Sequence, residues 1–233
     1  MDFPLFLAMT GAEFAVCRVY PPKIAYMSCH FSSSGPGVSG IPKWLPPGSA
    51  LMLTDEIPPS NHDPWLVAAE LADTVEKLRC KAILLDLQRP ELPENRAIAE
   101  AVATLPCSTA VSAIYAKDLS CGVLLPPPPL WTTLPQHLAP WQGRPIWLEM
   151  AQEGADVTLT ENGSTYTPCA CTSLSNSFHH EPLHIDYDMQ FQESGVLFHL
   201  RRNRKRMGEL LAEAKELGIE NALALYQQEN APL

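Results

Sequence analysis

Short apolar runs alternate with amphipathic segments along most of this chain, and prolines or polar residues bound nearly every run. A run of about four to eight apolar residues with such boundaries predicts a buried strand. Strands of this kind are expected at 23–31, 50–56, 82–87, 109–115, 122–125, 145–150 and 221–226. The first segment, 1–22, is ambiguous, and its portion 13–20 is compatible with a further strand.

The segments between these strands carry apolar residues at helical spacing and predict amphipathic helices. The clearest lie at 63–79, 93–105 and 203–217, with a helical turn at 134–141. Asn61 or Asp63 can cap the first helix, which has Pro64 at its first position. Gly218 can end the helix at 203–217 because glycine adopts the left-handed conformation of a C-terminal cap.

Strands that alternate with helices predict a parallel α/β sheet, here of about seven or eight strands. The chain contains neither a G-x-G-x-x-G fingerprint nor a P-loop, which argues against a nucleotide-binding doubly wound sheet. We therefore expect an α/β fold of the (β/α)8 TIM-barrel type, in a trimmed form. Residues 1–233 are expected to form a single domain of this kind.

The pattern changes between 156 and 199, where apolar and polar residues alternate. The segments 156–160 and 164–167 flank Glu161-Asn162-Gly163, a turn sequence typical of a β-hairpin. The segments 185–190 and 195–199 predict a second hairpin. A β-rich insertion is therefore expected ahead of the last helix.

Composition narrows the range of partners. Hydrophobic residues make up 46% of the chain and charged residues 18%, which is typical of a globular protein with a core. The net charge of -10 argues against nucleic acid and anionic membranes as partners, since both require a basic surface. No apolar run approaches the length of a membrane span. The sequence leaves the oligomeric state open.

The cysteines and histidines do not predict a metal site or a cofactor. Seven scattered cysteines and an N-terminus without a basic start favour a cytoplasmic location over a disulfide-bonded secreted protein. Cys169 and Cys171 are too close in sequence for an ordinary zinc site. His179 and His180 lie in a polar stretch without helical spacing, which favours a surface loop.

Acidic residues recur where predicted strands end, at Asp55 and Glu56, Asp86 and Glu149. The carboxyl ends of barrel strands meet at one mouth, so these acids are candidates for chemistry there. Facing carboxylates serve as acid and nucleophile or base in glycoside hydrolysis. Acids also cap loops at strand ends, and that alternative applies to each of them.

Aromatic residues in proline-rich loops are candidates for platforms that stack on sugar rings. Trp44 and Trp131 are the best placed, because both lie in such loops rather than inside a predicted strand.

Residues 81–90, KAILLDLQRP, resemble the motif D-G-[IFV]-D-[LIF]-D-W-E-x-P of family 18 glycoside hydrolases, which include chitinases and non-catalytic chitinase-like lectins. Asp86 matches the last aspartate of the motif and Pro90 its proline. Lys81 and Leu84 stand at the first two acidic positions, and Gln88 stands at the catalytic glutamate. The resemblance implies a barrel with this motif on its fourth strand, and it places Tyr226 near a tryptophan that closes the last strand.

The resemblance also implies a loss of activity. In that family the glutamate protonates the glycosidic oxygen and the neighbouring aspartate assists the substrate's N-acetyl group. A glutamine has no carboxylic proton to give, although its amide can still bind a sugar. The residues expected to contact a ligand are Asp86, Gln88, Glu149, Tyr226, Trp44 and Trp131.

Three functions remain open on this basis. The favoured one is a non-catalytic barrel that binds a carbohydrate or a protein partner. The second is an active glycoside hydrolase that pairs Glu149 with Asp86 or Glu56. The third is a structural or assembly protein.

Overall fold

The computed structural model describes residues 5–230 and builds them into two β-sheets with short helices. Its strands are β1 (Leu5–Met9), β2 (Ile24–Phe31), β3 (Val38–Ser39), β4 (Ala50–Thr54), β5 (Ala82–Asp86), β6 (Thr109–Ser112), β7 (Gly122–Leu125), β8 (Ile146–Met150), β9 (Glu153–Thr160), β10 (Gly163–Cys169), β11 (Phe178–His180), β12 (Ile185–Gln192), β13 (Gly195–Arg202) and β14 (Asn221–Leu225). Its α-helices are α1 (Gly11–Val16), α2 (Pro64–Leu78), α3 (Pro93–Ala103), α4 (Ala113–Ala116), α5 (Leu134–Leu138), α6 (Arg204–Glu216) and α7 (Tyr226–Asn230).

The first sheet is a closed barrel of eight parallel strands. Its order is β1-β14-β8-β7-β6-β5-β4-β2, and the pairing of β1 with β2 closes the ring. The short strand β3 adds to β2 in the antiparallel direction. The predicted TIM-like barrel is thus confirmed, and its trimmed form is visible in connections such as α4, which has only 4 residues.

The start of the chain differs from the prediction. The segment 13–20 is not a strand: α1 occupies Gly11–Val16, and the first barrel strand is β1, upstream of it. The Thr10 hydroxyl accepts from the Glu13 amide at 3.2 Å, and the Glu13 carboxylate accepts from the Thr10 amide at 2.7 Å. This reciprocal capping fixes the start of the helix. The apolar residues of 13–20 do not indicate that start, because the same run is also compatible with a strand.

Four predicted strands are also too long: β4 and β5 end at Thr54 and Asp86, and the other two end where a helix begins. The segments predicted at 109–115 and 221–226 remain extended only to Ser112 and Leu225, where α4 and α7 begin. Each of these two strands therefore ends at the barrel rim. An apolar residue beyond the rim, such as Tyr115, belongs to a helix and is buried there.

Alternation along the barrel strands selects which side chains fill the interior. This interior cluster consists of Phe6, Ala8, Ala25, Ala50, Met52, Ala82, Leu84, Ala110, Leu124, Trp147 and Leu223. Ala25, Ala50 and Ala82 are paired across neighbouring strands and leave room for larger rings. Phe6 and Trp147 occupy that room with ring centroids 4.8 Å apart.

The second sheet is antiparallel, in the order β10-β9-β13-β12-β11. It confirms the two hairpins predicted between 156 and 199, although its strands run from 153 to 202 and include β11, which was not predicted. The Arg202 side chain is fully buried at the end of β13. It donates to the Glu153 carboxylate at 2.9 Å, to the Pro128 carbonyl at 2.6 Å and to the Leu183 carbonyl at 3.3 Å.

The chain divides into two compact units. One comprises the residues up to Pro126 with Gly143–Glu149 and Ile219–Gln227; the other comprises Pro127–Gln142, Met150–Gly218 and the residues from Gln228 onward. The expectation of a single domain stays a prediction. None of the helices between residues 5 and 230 has the length and apolarity that crossing a bilayer requires.

The C-terminus of α2 provides a test of local backbone strain. Arg79 ends this helix with φ 55 and ψ 41, the left-handed conformation that glycine adopts without cost. We expect Arg79→Gly to raise the free energy of unfolding by about 0.5–1 kcal/mol in urea denaturation.

Gly218 is the matched control, since it adopts φ +79 with open space around it. Gly218→Ala should lower the free energy of unfolding by about 1 kcal/mol. Shifts of the same sign for both variants would contradict this account.

Candidate functional site

Two carboxyl groups lie at the carboxyl ends of the barrel strands. Asp86 continues the inward alternation of Ala82 and Leu84 on β5, and Glu149 continues that of Trp147 on β8. Both line one small cavity of about 60 Å³. The other residues around it are Gln88, Ser112, Ala113, Ile114, Leu124 and Pro126.

Burial controls the protonation of this pair. It raises the pKa of the Glu149 carboxyl to about 8, and the negative charge of Asp86 adds to the rise. Burial also raises the pKa of Asp86, where the hydrogen bond from Gln88 opposes the rise and the charge of Asp55 adds to it. At neutral pH Glu149 therefore holds a proton, which makes it a hydrogen-bond donor in this cavity.

Gln88 is exposed and reaches back to the acid that precedes it. Its side-chain amide donates to Oδ1 of Asp86. The position that the sequence resemblance aligns with a catalytic glutamate thus carries an amide that contacts the preceding aspartate.

Asp55 fixes the backbone that carries Gln88. Its Oδ2 accepts from the backbone amides of Gln88 and Arg89, both at 3.0 Å, and from the Asn95 side chain at 2.7 Å. Asp55 is only 4% exposed, so this carboxylate is held among donors rather than presented to a ligand. Its position at a strand end therefore reflects the anchoring of a loop. Loop capping was the alternative to a catalytic role for each acid at a strand end.

The other side of the same loop is held by β6 and α4. The Ser112 hydroxyl accepts from the Leu87 amide and donates to the Leu85 carbonyl, both at 2.9 Å. The Tyr115 hydroxyl donates to the Arg89 carbonyl at 2.7 Å. Ser112 was not among the predicted site residues, although its alternation with the inward-facing Ala110 is a signal that could have identified it.

Several predicted site residues lie outside the cavity lining. Glu56 is exposed, and its backbone carbonyl, not its carboxylate, accepts from the Arg89 guanidinium at 3.2 Å. The structure therefore brings Glu149 together with Asp86 and not with Glu56. The Tyr226 hydroxyl lies 3.7 Å from the Cys17 sulfur.

The two tryptophans contact other aromatic rings. Trp44 lies with its ring centroid 5.2 Å from that of Phe14 and 4.9 Å from that of Tyr20, and it is 49% exposed. Trp131 is 56% exposed and packs edge-on against Tyr166 at 5.1 Å. Trp44 belongs to the unit that contains the barrel cavity and Trp131 to the other unit.

No group of three or more potential ligand side chains in the described part of the chain is arranged to hold a metal ion. The histidines of the β-rich segment have other partners: His184 lies 2.7 Å from the Glu213 carboxylate, and His179 lies 3.0 Å from the Ile185 carbonyl. All seven cysteines are free thiols.

The remaining motif positions have structural roles. β5 is the fourth barrel strand in chain order, where the resemblance places the motif. Lys81 donates to Asn221 at 2.6 Å, and its ammonium lies 5.6 Å from the ring centroids of both Phe6 and Trp147. Leu84, which the resemblance aligns with the second acid of the motif, packs inside the barrel.

Removal of the Asp55 carboxylate should release the loop that carries Gln88. Asp55→Ala leaves three donors without their acceptor, and we expect a loss of about 2–4 kcal/mol in the free energy of unfolding. The amides of Gln88 and Arg89 should also exchange hydrogen faster. Glu56→Ala, one residue away and exposed, is the control and should change stability by less than about 0.5 kcal/mol.

The raised pKa of Glu149 makes stability depend on pH in a defined direction. Between the ordinary pKa of 4.5 and about 8, folded Glu149 retains a proton that the unfolded chain releases. The stability contributed by the protonated form is therefore complete below pH 4.5 and is lost as pH rises through 8.

Relative to Glu149→Gln, which cannot ionise, the wild type should lose about 1–3 kcal/mol between pH 5 and pH 9. Urea denaturation of both proteins at the two pH values measures this difference. A constant difference across that range would show that Glu149 ionises normally.

No protein-family model and no curated protein matches the sequence. Solved structures do match the fold. The spore cortex-lytic enzyme SleL of Bacillus cereus aligns with a TM-score of 0.57 and 13% identity over 99% of this chain and 72% of that chain. SleL of Bacillus megaterium aligns with a TM-score of 0.54 and 10% identity over 97% of this chain and 70% of that chain.

A chitinase of Chromobacterium violaceum aligns with a TM-score of 0.56 and 8% identity, over 99% of this chain and 96% of that chain. These identities are low, so the similarity concerns the fold. The chain therefore has the closed eight-stranded barrel found in a chitinase and in cortex-lytic enzymes, the fold implied by the sequence resemblance to family 18 glycoside hydrolases.

Proposed function

We propose that the barrel mouth binds a carbohydrate and does not hydrolyse it by the family 18 route. The observation that carries this proposal is that the side chain of Gln88, the residue that the resemblance aligns with the catalytic acid, is an amide that donates to Asp86. An amide cannot protonate a leaving oxygen, but it can both donate to and accept from sugar hydroxyls.

The resemblance implies an amino-sugar polymer with N-acetyl groups as the ligand class. Proteins of the same fold include a chitinase and cortex-lytic enzymes, which agrees with a ligand of that class. The cavity of about 60 Å³ has the volume of roughly two water molecules. It accepts a substituent of a sugar and not a whole ring, so the ring would lie across the opening, over Gln88.

The polar groups of the cavity suit such a substituent. Protonated Glu149 donates a hydrogen bond, the Asp86 carboxylate accepts one, and Gln88 offers both kinds of group. Leu124, Ala113 and Ile114 provide the apolar wall that a methyl group would contact.

A second candidate function is hydrolysis by Glu149 and Asp86. Two carboxyl groups line one cavity, and one of them is protonated at neutral pH. Such a pair can act as a general acid and its charged partner. This alternative needs a sugar placed so that its glycosidic oxygen reaches Glu149.

Binding and turnover separate the two functions when both are measured on the same variants. We expect the hexamer of N-acetylglucosamine to bind the wild type in isothermal titration calorimetry, without release of shorter products. Gln88→Ala should weaken binding by about tenfold because it removes an amide hydrogen bond to the sugar. Gln142→Ala, an exposed glutamine outside the cavity lining, is the matched control and should bind like the wild type.

Product release that survives Gln88→Ala and disappears in Glu149→Gln would establish the second candidate instead. A wild type that binds neither this oligomer nor peptidoglycan fragments would overturn both carbohydrate functions and leave the structural or assembly role. The same titrations on Trp44→Ala and Trp131→Ala determine whether either tryptophan contributes.

A further inference from the structure

A second cavity, of about 470 Å³, lies in the unit that contains the antiparallel sheet. One face of the sheet forms its floor, and a segment with Leu130 and Trp131 covers it. We name this space the sheet cavity. All of its lining residues belong to that one unit, and none of them lines the cavity at the barrel mouth. The proposed function therefore does not account for it.

The cover of the sheet cavity is fixed to the sheet by specific contacts. Arg202, fully buried on β13, donates to the Pro128 carbonyl at 2.6 Å and to the Leu183 carbonyl at 3.3 Å. The Trp131 ring packs edge-on against the Tyr166 ring of β10 at 5.1 Å. These contacts hold the cavity open between the cover and the strands. A largely pre-formed apolar space of this size is typical of small-molecule sites.

The interior of the sheet cavity is apolar and uncharged. Its most buried lining residues are Leu130 and Ile185, each 2% exposed. No charged side chain is among the described residues that line it. Arg202 and Glu153 share this face of the sheet, but they pair with each other at 2.9 Å and do not line the cavity. A sugar or an ion would lose its hydrogen bonds to water inside this space without replacement.

The polar atoms of the lining belong to exposed residues. Tyr166 is 49% exposed and Trp131 is 56% exposed, and Ser164 and Thr165 beside them are also exposed. Their hydroxyl and indole groups can bind a small uncharged polar group at the opening. The lining thus suits a molecule with an apolar body and one uncharged polar end.

The lining runs diagonally across the sheet, from Leu159 on β9 to Ile185 on β12. Leu200 is paired with both Ala155 and Tyr187, which places the two ends six positions apart along the strands and two strands apart across the sheet. At about 3.4 Å per residue and 4.8 Å between strands, that separation is roughly 22 Å. The sheet cavity is therefore long.

Length and volume together indicate the shape of the occupant. At about 30 Å³ for each water-sized or methylene-sized group, a cavity of about 470 Å³ holds about 16 groups, or one for about every 1.4 Å of its length. A single extended alkyl chain fills such a space better than a compact ring system. Water is held weakly there because it finds few polar partners, so its displacement by a chain is favourable.

The charge of the protein selects the polar end of the ligand. The chain has a net charge of -10, and the sheet cavity has no basic lining residue in the described part of the chain, so a fatty-acid carboxylate would be repelled and unpaired. We propose that the sheet cavity binds the alkyl chain of an uncharged single-chain lipid, such as a fatty alcohol or a fatty-acyl ester. This function is independent of carbohydrate binding at the barrel mouth.

Displacement of a fluorescent probe tests this proposal on the full chain. N-phenyl-1-naphthylamine is uncharged at neutral pH and becomes brighter in apolar surroundings. We expect it to bind the wild type and to be displaced by hexanol, octanol and decanol. Affinity should rise about fourfold for each added methylene, because each one enters the apolar cavity. Decanoate should displace the probe at least about tenfold more weakly than decanol.

Ser164→Trp and Val157→Phe fill part of the sheet cavity and should weaken displacement by decanol by about tenfold or more. Thr167→Trp is the matched control, because it adds the same ring at an exposed position of β10 on the opposite face of the sheet. It should behave like the wild type. Ser164 is exposed, so its variant keeps the test valid if Val157→Phe does not fold, which circular dichroism determines.

Three results would overturn the proposal. The first is a wild type that does not bind the probe or binds all three alcohols equally. The second is an equal effect of Ser164→Trp and Thr167→Trp, which would place the chain elsewhere. The third is displacement by the hexamer of N-acetylglucosamine or by decanoate as strong as that by decanol, since the ligand would then be a sugar or an anion.

Discussion

A single buried oxygen atom, Oδ2 of Asp55, determines where the candidate site presents its amide. It accepts two amide donors from the loop between β5 and α3 and one side-chain donor from Asn95 in the first turn of α3. No other carboxylate in the barrel mouth has as many protein donors among the described residues. The loop cannot shift without breaking several of these bonds at once. Because a buried carboxylate without donors is costly, the loop and the acid constrain each other. The position of Gln88 over the mouth is a consequence of that constraint.

The barrel interior determines which side chains β5 can carry on its inward face. An acid at position 84 would sit among apolar side chains and would require a partner, whereas Leu84 packs there without one. Lys81 stands at the base, where the rings of Phe6 and Trp147 and the amide of Asn221 satisfy its ammonium. The charged groups of this segment thus lie at the two ends of the barrel, with Asp86 at the mouth.

The sequence predicted the parts of this fold that depend on local pattern. Apolar runs, alternation, helix caps and turn residues predicted the strand containing Asp86, the helix capped by Asp63 and both hairpins. It did not predict β1, since the apolar run at 5–9 is short and forms a strand by pairing with β14 and β2. Nor did it separate Asp55, which binds its own loop, from Glu56, which points to solvent. That distinction depends on Asn95 and on two amides more than thirty positions away in the chain.

The pairing of β1 with β14 has a consequence for how the chain acquires its structure. Leu5 is paired with Ala222, so the ring closes only when a strand near the far end of the sequence arrives. Contacts of such long sequence separation slow folding, because the chain loses the conformational entropy of a long loop before these contacts form. During synthesis, β1 and β8 therefore remain open edges while the intervening sheet and α6 are made. The nascent barrel is exposed to pairing with other chains until its last strand leaves the ribosome.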